Sequence, residues 1–102
     1  MPTKTYQSFE AFYPFYLSQH QNRICRLLHV VGLLCVIAIL VAAIISNIYS
    51  LLWLMPIAGY GFAWVGHFFF EHNKPATFTY PWYSFLGDWV MLKDILTGKL
   101  KI

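Results

Sequence analysis

Four histidines, His20, His29, His67 and His72, carry the chemistry this chain is best equipped for, with Glu71 and Asp88 close to them. Imidazole binds transition metals through a ring nitrogen, and a carboxylate completes or supports such a shell, so the set suits iron, zinc, copper or nickel. A thiolate site fits less well. The only cysteines, Cys25 and Cys35, are ten residues apart. On a helix that is about 15 Å, beyond disulfide reach, and they read as small apolar residues. The spacing of the histidines joins them only in part. His67 and Glu71, four apart, share a helical face, whereas His72 points away from His67 unless the helix ends first. His20 and His29 are half a turn out of phase and meet only if the chain bends between them. Asn22, Arg26 and His29 share one face at i, i+4 and i+7.

The elements that must position these residues begin with the stretch from Leu27 to Phe70, which contains no Asp, Glu, Lys or Arg. A bilayer core needs about 20 apolar residues of helix to cross it, and this stretch is about twice that long. Its one polar dip is Ser46-Asn47-Ile48-Tyr49-Ser50. The reading is a helical hairpin with spans over Leu27–Ile45 and Leu51–Phe70. Antiparallel spans put His29 and His67 at one depth, with His20 and His72 flanking them, so all four histidines are expected at one membrane interface. Ionisable groups at such a depth are usually functional.

Composition agrees. The 102 residues form a single membrane domain (1–102), with 59% hydrophobic and only 11% charged residues, far from a soluble globular chain. The N-terminus carries no compact apolar core of a cleavable signal, so the first span is expected to be retained. Arg23 and Arg26 precede the hairpin and Lys74 follows it, which places both termini and the histidine cluster on the cytoplasmic side, in an inner membrane or the endoplasmic reticulum. No basic run or stripe suggests nucleic acid.

The fold class is all-α, with amphipathic interfacial helices at both ends of the hairpin. Phe9, Phe12, Tyr13 and Tyr16 make one helical face, capped by Ser8 and broken at Pro14. A loop is expected over residues 76–81. From Trp82 to Leu96 an apolar face (Trp82, Phe85, Leu86, Trp89, Val90, Leu96) opposes Ser84, Asp88, Met91 and Asp94, which suits a helix lying on the membrane beneath the histidines and ended by Gly98.

Several of these residues form a pattern. Tyr13-Pro14-x-Tyr16, His20-x-Asn22, Arg26-x-x-His29-x-x-Gly32 and the run Gly59-Tyr60-Gly61-Phe62-Ala63-Trp64-Val65-Gly66-His67-x-x-x-Glu71, leading into Pro75-Ala76, resemble a small membrane family first catalogued as a domain of unknown function. That family includes a fungal endoplasmic-reticulum dioxygenase acting on 2-hydroxy fatty acids, and the resemblance covers nearly the whole chain. It implies Fe(II)-dependent α-oxidation, which shortens a long-chain 2-hydroxy fatty acid by one carbon with O2. It also points to His20, His29 and His67 as the functional histidines, with Glu71 beside them as a catalytic residue. His72 or Glu71 is expected to complete the metal shell. Arg26 would pair with the substrate carboxylate, Asn22 would contact substrate from the same face, and membrane lipid would surround the acyl chain. Two other readings stand beside the enzyme: a haem-binding electron carrier with His29 and His67 as axial ligands, and a non-enzymatic membrane scaffold.

Overall fold

The computed structural model describes residues 6–75 and 78–102. Every regular element among them is helical: α1 (Phe9–Ser18), α2 (Arg23–Ser46), α3 (Leu54–Val65) and α4 (Pro81–Leu96). A 3-10 segment, Tyr49–Trp53, leads into α3, and a π-helical segment, Gly66–Glu71, continues it.

The hairpin forms as the charge pattern requires. Asn22 caps α2, its side-chain oxygen accepting from the N–H groups of Ile24 (2.9 Å) and Cys25 (3.2 Å). The helix then runs 24 residues, about 36 Å, enough to cross an apolar layer of about 30 Å. It stops at Asn47, whose left-handed backbone (φ 57°) is a common helix terminator. The return run, Tyr49–Glu71, is also long and apolar enough to cross a membrane. Neither is the core helix of a soluble protein, because most of their side chains face outward. Ile45, Trp53, Ile57 and Phe69 are all more than 60% exposed, and such a belt of apolar surface suits a membrane-spanning pair.

The return span is not one uniform helix, as the sequence suggests it should be. It starts as a 3-10 turn and becomes α-helical just before Pro56. That places the proline in the first turn of α3, where its missing N–H costs least. Two glycines then let the spans touch. A Cβ on Gly32 would sit 3.2 Å from Phe62 Cβ and 3.3 Å from the Ala58 carbonyl oxygen, and one on Gly66 would sit 2.9 Å from Cys25 Sγ and 3.1 Å from its Cα. Small residues at such points allow close backbone approach. The Gly66 contact draws the π-helical segment against the first turn of α2, one turn from His29.

The flanking helices pack on each other beside this end of the hairpin. Ser8 caps α1 as expected, accepting from the Ala11 N–H at 3.2 Å. The break expected at Pro14 is absent: α1 continues through it. Pro14 and Glu10 both lie on the exposed side. The Glu10 carbonyl left without a helical donor therefore faces outward, while the aromatic face stays buried. Phe12 and Tyr16 meet Met91 of α4 in a core in which all three are at most 1% exposed. The hydroxyl of Tyr13 donates to Asp94 at 2.8 Å, and that of Tyr16 donates to Asp88.

α4 shows which of its two faces is buried. Its buried residues are Ser84, Gly87, Met91 and Leu92, whereas Trp82, Phe85 and Leu96 are exposed. Gly87 is the reason the helix can sit so close. A Cβ there would lie 2.7–3.1 Å from the Tyr16 ring. The large apolar side chains are thus left to face lipid, and the small and polar ones face α1 and the histidines. Gly98 (φ 85°) follows the end of α4 as expected. The loop expected over 76–81 lies partly outside the described residues; Phe78 and Thr79 form a turn.

Candidate metal centre

Three of the four histidines meet. His20 arrives from the turn after α1, His29 from the second turn of α2, and His67 from the π-helical segment. All three are at most 4% exposed, and a ligand atom from each lies within 4.8 Å of the others. Their ring centroids are 4.4, 4.4 and 5.0 Å apart, with the planes nearly perpendicular.

The hydrogen bonds fix which nitrogens look inward. Nδ1–H of His20 donates to the Tyr16 carbonyl (2.6 Å), that of His29 to the Cys25 carbonyl (2.8 Å), and that of His67 to Asn73 Oδ1 (2.7 Å). The Asn73 amide is itself oriented, since its Nδ2 donates to the Gln19 carbonyl and to Gln19 Oε1. Each acceptor is an oxygen with no proton to give, so each neutral ring keeps its proton on Nδ1 and a bare lone pair on Nε2. His20 Nε2 and His29 Nε2 then face each other at 3.1 Å. Two lone pairs at that distance repel unless a cation lies between them. A proton is disfavoured, because burial and the neighbouring His29 and His67 hold the His20 pKa well below its usual value. A metal ion bound at about 2.0–2.1 Å to each nitrogen matches the spacing. The cavity at this point holds about 10 Å³, near the size of one water or ion.

One polar atom aimed at this cavity is unsatisfied. Ser84, 2% exposed, lines it, and its Oγ has no hydrogen-bond partner among the described residues. A buried hydroxyl left unpaired is costly, and a ligand oxygen held at the three histidines would satisfy it. Asp88 lines the same cavity. Burial pushes its carboxyl up to about 7, against the Tyr16 hydrogen bond, which lowers it. In metal-free protein Asp88→Asn should therefore gain stability relative to the parent as pH rises from 3.8 toward 7, and hold that gain above it. The folded state retains a proton that the unfolded carboxyl loses, so ionisation opposes folding across that window. A thermal-unfolding series against pH reads it.

The remaining expected site residues take other places. His72 is not brought into the group: it is exposed and occupies the left-handed position (φ 58°) that ends the π-helical segment. Its backbone rather than its ring matters. The turn at His72 lets the Asn73 N–H close onto the His67 carbonyl at 3.0 Å and carries the Asn73 amide back to the His67 ring. His72→Gly should accordingly keep full metal content and gain up to about 1–2 kcal/mol, since glycine occupies this conformation without strain. Metal loss in that variant would restore His72 as a ligand.

Glu71 accepts from the Asn22 backbone N–H, tying the end of the second span to the start of α2. Asn22 spends its side-chain oxygen on the α2 cap. Arg26 donates to the His20 carbonyl through Nε and to the Lys101 carbonyl through Nη1 (2.6 Å), so it braces the turn that carries His20. Asn73 was missed in the sequence, and its signal was weak: a polar residue two past Glu71, just before Lys74-Pro75. As the partner that orients His67, it should matter at a distance. Asn73→Ala is expected to weaken metal binding by about 10- to 100-fold, measured by competition with a chelator of known affinity. The third histidine also bears on the haem reading. His20 stands beside both His29 and His67 over a cavity of about 10 Å³, which leaves no room for a macrocycle between them.

Fold and site together define a small all-helical protein whose two membrane-length helices hold a buried three-histidine group suited to a metal ion. Residues 6–100 match the family described as 2-hydroxy-palmitic acid dioxygenase Mpo1-like, and the chain belongs to that family. No curated protein and no solved structure gives a significant match.

Proposed function

We propose that this protein is an Fe(II)-dependent dioxygenase that removes one carbon from a long-chain 2-hydroxy fatty acid. The observation that carries the reading is the convergence of three bare imidazole nitrogens, each fixed by an oxygen acceptor on its far side. The family description supplies the substrate class. Iron held by His20, His29 and His67 would supply the affinity for O2 and for the hydroxy-acid oxygens. The chain's own residues do the rest. Tyr16, Cys25 and Asn73 hold the three rings in one tautomer, and Ser84 offers its hydroxyl to a ligand oxygen. Burial pushes the Asp88 carboxyl up to about 7, which reduces the negative charge opposite a substrate carboxylate, and the packed α1–α4 layer limits the entry of water.

Anaerobically purified protein should contain one iron per chain. Given a 2-hydroxy fatty acid and O2, it should yield the acid one carbon shorter by mass spectrometry. A metal-replete protein that leaves the hydroxy acid intact and consumes no O2 would refute the activity. Ser84→Ala should keep its iron while losing about 1–3 kcal/mol of affinity for the oxygen ligand, about 5- to 150-fold. The charge pattern supports a cytoplasmic position for both termini and the histidines. Reporter fusions at the two ends should agree in sidedness, and disagreement would refute the two-span topology.

A further inference from the structure

A second cavity, of about 220 Å³, lies between α2, α3 and α4. It shares His29, Tyr60 and Asp88 with the three-histidine cavity. From that polar mouth it follows His29, Leu33 and Val36 down one face of α2, about 10 Å toward the middle of the span. Met55 and Gly59 of α3 form the opposite wall, and Phe85 of α4 closes one side. Away from the mouth the lining is apolar. Gly59 lines the slot without a side chain; a Cβ there would meet Val36 Cγ2 in ordinary contact at 3.4 Å, so a longer side chain at this position competes for the space.

We infer that this slot binds the acyl chain of a single-chain acid whose head group is held at the histidines, with Gly59 and Val36 setting its width. The occupant follows from continuity. A ligand anchored at His29 can extend along the slot without crossing a polar wall, and the slot is partly open, so a longer tail can continue outward. The dimensions accept the carbons nearest the head group, while a longer tail continues into the bilayer. Such a site selects against short or branched chains and gives little discrimination among long ones. The head-group chemistry rests on the dioxygenase reading, but the acyl site itself does not.

The test uses the full chain in phospholipid nanodiscs with a long-chain 2-hydroxy fatty acid carrying a photoreactive diazirine near the middle of the slot. Mass spectrometry of the irradiated protein should map the label to Val36, Met55 and their slot neighbours. Gly59→Leu and, independently, Val36→Phe should each reduce that labelling about tenfold or more, because losing two buried methylenes weakens binding by that factor. Retained metal at the three histidines shows that each variant is folded. Label spread over the lipid-facing residues Trp53, Ile57 and Phe69, and unaffected by either substitution, would overturn the slot. Equal labelling of the slot by a diazirine phospholipid would overturn it as well, by making the occupant bulk lipid. Slot labelling without turnover would leave the acyl site standing and refute the dioxygenase reading instead; turnover with label only on the lipid face would do the reverse.

Discussion

Alanine at His29, or at His67, should leave the purified protein essentially without metal while it remains helical and in the membrane. Replacing the oxygen that orients a ligand costs about 10- to 100-fold in affinity, so removing the ligand itself should exceed that. Both rings are buried at the end of the hairpin, and neither anchors the span, whose apolar face extends about 25 Å beyond His29. The metal-free variants should therefore show ordinary helical circular dichroism and ordinary membrane extraction. They should also lose the 3.1 Å opposition of lone pairs seen between His20 and His29 where His29 is replaced. The added stability that metal confers on the parent protein should vanish in each variant, since a ligand stabilises only the state that binds it. Elemental analysis with and without added Fe(II) reads the result. Stoichiometric iron in both alanine variants would rule the three-histidine site out.

The other large effect belongs to the layer that holds His20 in place. Phe12 is fully buried between α1 and α4 and touches the rings of Tyr6, Tyr80 and Tyr83. Phe12→Ala should destabilise this layer by about 3–5 kcal/mol, the usual cost of a large cavity in a packed core. Phe69→Ala, on the lipid side and 69% exposed, should cost far less. The damage should be local, because α1 packs mainly on α4. Proteolysis and the fluorescence of Trp82 and Trp89 should report loss of the α1–α4 layer at lower temperature or denaturant, with the two spans still inserted. Metal affinity should fall in parallel, since the His20 ring is stacked on Tyr16 at 4.0 Å and bonded to its carbonyl. Equal losses at Phe12 and Phe69 would mean that the layer is not an independent packing unit.

The sequence alone determined the hairpin. A charge-free run of this length can satisfy its backbone in lipid only as helix, and Ser46–Ser50 is the one place for it to turn. It also determined that His29 and His67 lie at one depth, because antiparallel spans bring their outer ends together. The cap at Ser8 and the end of the last helix near Gly98 were legible for a similar reason, since each depends on a few neighbouring residues; the cap at Asn22, expected to contact substrate, came only with the structure. Tertiary structure decided the rest. The period of α4 marked two faces but not which of them would be buried. Gly87 settles that by letting the Tyr16 ring lie against the backbone, so the small and polar face packs inward and the aromatic face meets lipid. Only the fold could choose between His72 and Asn73. Adjacent side chains point in different directions, and one left-handed residue at position 72 turns the first outward and the second back onto His67. The inward aim of three Nε2 atoms was beyond the sequence too, because it depends on oxygen acceptors at Tyr16, Cys25 and Asn73, two of them backbone carbonyls that no residue type encodes.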